Sequence, residues 1–327
     1  MSREPRAVRG GEIVAASAAQ RIAVIIPCLD EALTLAKVIE DFRRALPAAT
    51  TYVIDNGSTD GTAEVATAHG AHVILETRRG KGFAVRRAFR SIDADFYVMV
   101  DGDDTYPAES VGALLEPVLA GRADMAVGSR RMAGTSSQFR PLNQLGNRLI
   151  AGFLHFLLRV KLTDILSGFR VMTRDFVQSV PITARDFEIE AELTVKAIER
   201  SYRLVEVPVN LRLRPEGSFS KLRRVHDGRQ ILWTIVLLFR DYRPMAFFGG
   251  LGLVLLIIGL IPGVIVISEF IQTGQVPRFP SAILAVALEL AGMLLISVGL
   301  VLSAVSRRFQ ELEAKVEMLA RPPSRRS

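Results

Sequence analysis

The stretch FYVMVDGDDTYP, residues 96–107, decides how the chain is read. Phe96 to Val100 run apolar without interruption and then meet Asp101, Gly102, Asp103 and Asp104. A strand buried on both faces of a parallel sheet has this continuous pattern, and ligands of open α/β sheets bind just beyond the strands' carboxyl ends. Asp101, Asp103 and Asp104 therefore stand where a ligand is expected, with no Lys or Arg among them. A hard divalent cation would relieve their mutual repulsion, since Mg2+ is typically held by one or two carboxylates plus substrate phosphates. The competing reading is an acidic turn capping the next helix, because Asp and Pro are both common turn residues.

Working outward, apolar runs at 22–27, 52–54, 72–75 and 125–127 join 96–100 as predicted strands. Helical patterns at 32–46, 62–69, 82–91 and 108–119 lie between them. This alternation predicts an α/β domain, a mostly parallel sheet with helices on both faces. The loop after the first strand carries Asp30 and Glu31; the loop after the second runs from Asp55 through Asn56, Gly57, Ser58, Thr59, Asp60 and Gly61 to Thr62. Both fall on the same sheet edge as Asp101. Asp55 can accept hydrogen bonds from a base edge or ribose, Asn56-Gly57 turns the chain, and Thr59 or Asp60 can cap the following helix. Read alone, such a loop is often only a turn. Gly80-Lys81-Gly82 opens a helix and could offer backbone N–H groups and an ammonium to phosphate, or be simply a basic capping loop. Gly128-Ser129-Arg130 ends the fifth strand on the ligand edge, which makes Arg130 a candidate anion contact. Neither a Walker A loop nor a G-x-G-x-x-G fingerprint is present.

The chain has 327 residues, enough for one sizeable α/β domain and something more. Hydrophobic residues make up 49% and mean hydropathy is +0.27, with the excess concentrated in two segments. Residues 245–267 carry no charge, and residues 281–305 carry only Glu289. At about 1.5 Å per residue, each is long enough for the roughly 30 Å hydrocarbon core, predicting two transmembrane helices. Arg240 and Arg243 precede the first span, Arg307 and Arg308 follow the second, and Arg278 is the only basic residue between them. The positive-inside rule then places both termini and the large domain in the cytoplasm. Residues 1–20 read as a disordered leader rather than a signal peptide. Cys28, the single cysteine, excludes an internal disulfide and fits a reducing compartment. The net charge of +7 suits anionic headgroups better than nucleic acid in a chain with two spans.

Residues 142–162 and 226–243 read as helices lying in the membrane interface, the second anchored by Trp233 and Tyr242; ordinary amphipathic core helices are the alternative. Arg212, Arg214, Lys221, Arg223 and Arg224 form a basic cluster beside them, either a receptor for lipid phosphate or a solvated charge run. His155 is expected to be a packed interfacial histidine. Glu289 is either a polar helix–helix contact or functional, and Gly259-Leu-Ile-Pro-Gly263 matches a close-packing motif.

Taken in order, IPCLDE, DNGSTDGT, VMVDGDDTYP, VGSR, DILSGFR, FEIEAEL and RPEGSFSKL resemble the family-2 glycosyltransferases of the GT-A (Rossmann-like) fold. Among these the chain is most similar to the polyprenyl-phosphate glycosyltransferases, which include dolichol-phosphate mannose synthases and bacterial GtrB-type glucosyltransferases. The resemblance covers residues 22–242, and the two C-terminal spans match the GtrB-like layout. Asn56 departs from the Asp of many relatives, and Thr105 from the Gln common in mannose synthases.

The resemblance implies a hexosyltransferase moving glucose or a hexosamine from a UDP-linked donor to a membrane polyprenyl phosphate; mannose from GDP-mannose is the alternative. It implies Mg2+ or Mn2+ at Asp103 and Asp101, and donor contacts from Pro27, Glu31, Asp55, Lys81, Asp101, Gly102 and Asp103. Arg130, Asp164, Ser167, Arg170, Glu188, Arg214, Ser220 and Lys221 would serve the acceptor and the phosphates, with Asp103, Asp101, Arg214 and Lys221 carrying catalysis. It also implies a homo-oligomer in the manner of a tetramer, which a helix at 309–319 would assist.

The expected plan is a leader (1–20), a catalytic domain (21–225), a juxtamembrane helix (226–243), a transmembrane pair (244–306) and a tail (307–327). A processive polysaccharide synthase is disfavoured, because Trp233 follows Gln230-Ile231-Leu232 and the Gln-x-x-Arg-Trp motif is missing. A non-catalytic, membrane-anchored nucleotide-sugar-binding scaffold is the reading from another class.

Overall fold

The computed structural model describes residues 20–131, 164–186, 188–212, 236–237, 239–241 and 243–320. These divide into two compact units, one within Met1–Arg224 and the other within Val225–Ser327. The expected leader, the interfacial helix at 142–162, most of 226–243 and the GSFSKL segment lie outside the described residues.

The first unit is one seven-stranded sheet in the order β3-β2-β1-β4-β6-β5-β7. Its strands are β1 Ile22–Cys28, β2 Thr50–Asp55, β3 His72–Leu75, β4 Phe96–Met99, β5 Met125–Arg131, β6 Arg170–Thr173 and β7 Leu204–Asn210. All pairings are parallel except those of β6, which runs antiparallel to both β4 and β5. The helices are α1 Ala32–Ala45, α2 Thr62–Ala68, α3 Lys81–Ser91, α4 Val111–Leu119, α5 Arg174–Ser179 and α6 Ile189–Glu199. The expected α/β class and mostly parallel sheet are present. β6 and β7 add two strands that the apolar-run pattern had not marked, and β5 continues through Gly128-Ser129-Arg130 instead of ending there.

Alternation along the strands separates two cores. Ile22, Val24 and Ile26 of β1 face one way and pack with Leu35, Ile39 and Phe42 of α1 and Leu114 and Leu115 of α4. Ala23 and Ile25 face the other way, against Ala84, Val85 and Ala88 of α3, Phe176 of α5 and Leu193 of α6. Burial on both faces is why β1 is apolar throughout. Pro27 is compatible with this central strand because the β1–β4 ladder ends at the pairing of Ile25 with Met99. The Pro27 nitrogen faces that side, beyond the ladder, so its missing N–H removes no ladder bond.

The second unit is a helical hairpin of α7 Pro244–Thr273 and α8 Phe279–Ala320. Both helices are long and apolar enough to cross a membrane, over Pro244–Thr273 and Phe279–Phe309, with most of each surface not buried in the protein. Small residues let the backbones approach. Gly252 and Gly259 on α7, and Ala285, Gly292 and Gly299 on α8, recur every seven residues. A Cβ added at Gly252 would lie 2.6 Å from the Gly292 carbonyl oxygen, and one at Gly259 would lie 3.0 Å from Leu288 Cβ. This is the small-residue packing used between apolar helices. Glu289 borders the same seam, its Cγ 3.2 Å from the added Gly259 Cβ.

Candidate functional site

Three loops leave the carboxyl ends of β1, β2 and β4, and hydrogen bonds tie them into one edge. The Asp30 N–H donates to Ser58 Oγ at 2.9 Å, and Thr59 N–H donates to the Asp30 carboxylate at 2.7 Å. Glu31 N–H donates to Thr62 Oγ1, and Ala32 N–H to the Asp60 carboxylate. Asp60 therefore caps α1 across the loops as well as bonding Thr62 in its own loop. Thr34 Oγ1 donates to the Gly102 carbonyl at 2.6 Å and brings the β4 loop onto α1. Asp30 and Asp104 hold left-handed backbone, φ 48° and 58°, which Asp tolerates better than most residues. Their placement on this edge concentrates backbone strain where a ligand is expected.

The antiparallel course of β6 brings a fourth loop to the same edge. Met99, the last residue of β4, pairs with Arg170, the first of β6, so residues 164–169 arrive beside Asp101. A Cβ at Gly168 would overlap the Asp101 carboxylate, with its carboxyl carbon at 2.8 Å; glycine is what allows this approach. A Cβ at Gly102 would likewise overlap the Glu31 carboxylate and lie 2.8 Å from Cys28 Sγ. Glu31, Asp55, Asp101, Gly102 and Asp103 thus belong to one edge, with Cys28 and Gly168 closing it.

The carboxylates of the DGDD loop differ in their surroundings. Asp104 pairs with Lys37 at 2.7 Å and Arg212 at 3.1 Å, and Arg212 also pairs with Asp41 and Glu109. Asp103, 5% exposed, accepts from the Thr105 N–H and hydroxyl at 3.1 and 2.6 Å. Asp101 is paired with Lys81. The repulsion suggested by the local sequence is thus met in part by cations from distant segments. Asp55, also 5% exposed, accepts the Ser58 N–H. Buried Asn56 donates to the Glu76 and Arg78 carbonyls and accepts the Gly80 N–H. An aspartate could not donate those two bonds, so Asn56 joins the β2 loop to the segment leading into α3.

Several expected site residues have partners within the protein. Lys81 does not open onto a bare phosphate cradle: its ammonium bridges Asp101 and Glu190. Burial would push that ammonium down, but the two carboxylate charges outweigh it and hold Lys81 above its ordinary range. Burial pushes Glu190 up, partly offset by Lys81. The Gly82 N–H donates to the Arg185 carbonyl, and a Cβ at Gly80 or Gly82 would strike the Ala184–Arg185 backbone.

Arg170 is fully buried and donates to the Ser167, Ile165 and Glu190 carbonyls, Thr194 Oγ1 and Met125 Sδ. All its donor directions are used within the protein, and burial lowers it to about 10. Ser167, also fully buried, donates to the Gly128 carbonyl. Both organise the loop from within. Asp164, 5% exposed, begins that loop, its N–H donating to Glu206. Glu188 precedes α6 and accepts the Arg185 N–H, while Glu190, two residues on in the same FEIEAEL motif, reaches the Asp101 edge. The side chain of Arg130, and Arg214, Ser220 and Lys221, lie outside the described residues. No cluster of three or more His, Cys, Asp or Glu able to hold a metal occurs among the described residues.

The sequence pattern described as "Glycosyl transferase family 2" matches residues 23–180. Glycosyltransferase AglJ of Haloferax volcanii is 32% identical over 91% of this chain and 98% of its own. A dolichyl-phosphate hexose transferase of the same organism is 31% identical over 66% of this chain and 92% of its own. Among solved structures, glucosyl-3-phosphoglycerate synthase from Mycobacterium tuberculosis, in complex with Mn2+ and uridine-diphosphate-glucose, aligns with a TM-score of 0.59 and 25% identity. That alignment covers 73% of this chain and 84% of the other. The chain belongs to glycosyltransferase family 2, and it is a glycosyltransferase with the GT-A fold.

Proposed function

We propose that the protein transfers a hexose, glucose or a hexosamine, from a UDP-linked donor to the phosphate of a membrane polyprenol, with both termini and the catalytic unit on the cytoplasmic side. The observation that carries this reading is the combination, in one chain, of a convergent acidic edge with a hairpin of two membrane-length apolar helices. Similarity to a dolichyl-phosphate hexose transferase supports a lipid-phosphate acceptor. Similarity to an enzyme crystallised with Mn2+ and uridine-diphosphate-glucose supports the donor class.

Asp103 and Asp101 fit a cation that takes one or two carboxylates and completes its shell with phosphate and water, as Mg2+ and Mn2+ do. When bound, such a cation neutralises the charge growing on the departing diphosphate. Glu31 and Asp55 accept hydrogen bonds from the nucleoside, and the loop carrying Gly168 keeps Asp101 from swinging out of place. A phosphate monoester with a second pKa of about 6 is largely ionised at neutral pH, so the acceptor oxygen needs no strong base. Arg214 and Lys221 hold the incoming phosphate as an anion, and positioning with charge neutralisation supplies the catalysis. One acceptor oxygen bonds to the anomeric carbon as the bond to the diphosphate breaks. The configuration inverts, and no covalent enzyme intermediate forms.

The test is a screen of UDP- and GDP-linked sugars with purified protein, polyprenyl phosphate and Mg2+ or Mn2+, the lipid product being read by mass spectrometry. One sugar should appear on the lipid. Asp103→Asn should lower turnover by about 10²- to 10³-fold, the scale for losing one charge-stabilising group. Near-normal turnover in that variant would sink the metal assignment. Absence of product with every donor, from folded protein supplied with lipid, would favour the binding scaffold.

A further inference from the structure

The Lys81 ammonium lies between two carboxylates that differ in access to solvent. The Asp101 side chain is 25% exposed and that of Glu190 is 5% exposed, with Lys81 at 12%. Asp101 sits on the donor edge; Glu190 comes from α6, 109 residues after Lys81 in the chain. Two carboxylates and one ammonium leave one net negative charge.

A divalent cation reaching Asp101 meets an ammonium already on that carboxylate. With Asp101 as its only partner, Lys81 would either compete with the cation or be left buried and uncompensated, which is strongly unfavourable. Glu190 supplies the second partner, and its place is fixed. The Glu190 carbonyl accepts from buried Arg170 at 2.8 Å and from Thr194 Oγ1 at 3.0 Å, locking that turn of α6. Gly168 packs closely against the Asp101 carboxylate, which limits the room that carboxylate has to shift.

We propose that Glu190 is a positioning residue: it holds the Lys81 ammonium and thereby frees the Asp101 carboxylate for the divalent cation of the donor site. This rests on the reading of Asp101 and Asp103 as cation ligands. Glu190 acts through Lys81 and touches neither the cation nor the sugar.

The experiment measures Mn2+ binding to the full-length protein in detergent, with UDP or GDP present, by the electron paramagnetic resonance signal of free Mn2+. Glu190→Gln should weaken Mn2+ binding by about 10- to 100-fold, the range for losing a partner that orients a metal ligand. Lys81→Met should leave it as tight as the parent or tighter. The double variant should recover at least the parent affinity, because no ammonium is left to occupy Asp101. Parent-like binding in Glu190→Gln, or a double variant as weak as that single one, overturns the inference. If Glu190→Gln does not fold, Lys81→Met decides: parent-like or tighter binding supports the role, and weaker binding overturns it. Asp103→Asn separates the two levels. Unchanged Mn2+ binding there overturns the cation reading itself, whereas lost binding there beside a parent-like Glu190→Gln removes only the role of Glu190.

Discussion

At the scale of single residues, the site depends on how closely backbone can approach carboxylate. Gly168 has no φ requirement for glycine, but any Cβ there would overlap the Asp101 carboxylate. Gly168→Ala should therefore displace Asp101 while leaving the cores intact. Misplacing a ligand-holding group by about 1 Å costs about 10²-fold in rate, so kcat should fall on that scale with little change in the unfolding midpoint. A variant with parent-like kcat would show that Asp101 is not held by this contact.

Glu76 offers a test of a different kind. It is 5% exposed and accepts from the Arg78 N–H, Nε and Nη2, each at 2.9 Å. The Arg78 guanidinium holds this carboxyl at about 2, below its ordinary 4.5. A depressed carboxylate contributes stability in full above its unfolded value and loses it as pH falls through its folded value. Glu76→Gln should therefore lower stability at neutral pH by about 1.5–3 kcal/mol, the scale of hydrogen bonds to a charged group. The difference from the parent should shrink from pH 4.5 toward pH 2. Urea midpoints of the two proteins across that window measure it, and a constant difference would contradict the assignment.

At the scale of elements, the reversed strand β6 organises the edge, and the buried Arg170 guanidinium fixes what β6 delivers. It donates to carbonyls at Ile165, Ser167 and Glu190, joining the loop before β6 to α6. Arg170→Met should leave those carbonyls without their donor and destabilise the catalytic unit by about 1–3 kcal/mol for each orphaned carbonyl, read in thermal or urea unfolding. A variant of parent stability with only a raised KM for lipid acceptor would restore Arg170 to the phosphate.

The legibility of the sequence divides along the same line. β1, β2 and β4 were readable because burial on both faces leaves uninterrupted apolar runs, and the acidic loops follow those runs directly. β6 is four residues long and begins with a buried arginine, while β7 mixes Glu206 and Pro208 into its apolar positions, so neither carries a strong local pattern. Asp103 and Asp101 were legible as strand-end carboxylates. The pairing of Lys81 with Glu190 was not, because it joins residues 109 apart and depends on where α6 lands. FEIEAEL spans the start of α6, and where that helix begins decides that Glu190, rather than Glu188, reaches the edge.

At the scale of the whole molecule, two units with different surfaces share one chain. The sheet unit encloses two apolar cores, whereas Leu253, Ile257, Leu260 and Ile261 on α7 and Leu290, Leu294 and Val301 on α8 are exposed. Such a hairpin is long and apolar enough to cross a membrane, and small-residue packing is how helices associate in that setting. Under the proposed function its work is to keep the catalytic unit in the layer that contains the acceptor. Confinement of this kind raises effective concentration and strengthens engagement by about 10²- to 10⁴-fold without any new contact to the reacting groups. A protein ending at Arg224 should then keep nucleotide-dependent Mn2+ binding but lose transfer to long-chain polyprenyl phosphate in vesicles by a comparable factor. With a short, water-soluble prenyl phosphate, the truncated and full-length proteins should differ by far less. Equal losses with both acceptors would mean that the hairpin supports the catalytic unit itself. No loss with either would mean that membrane confinement plays no part in the reaction.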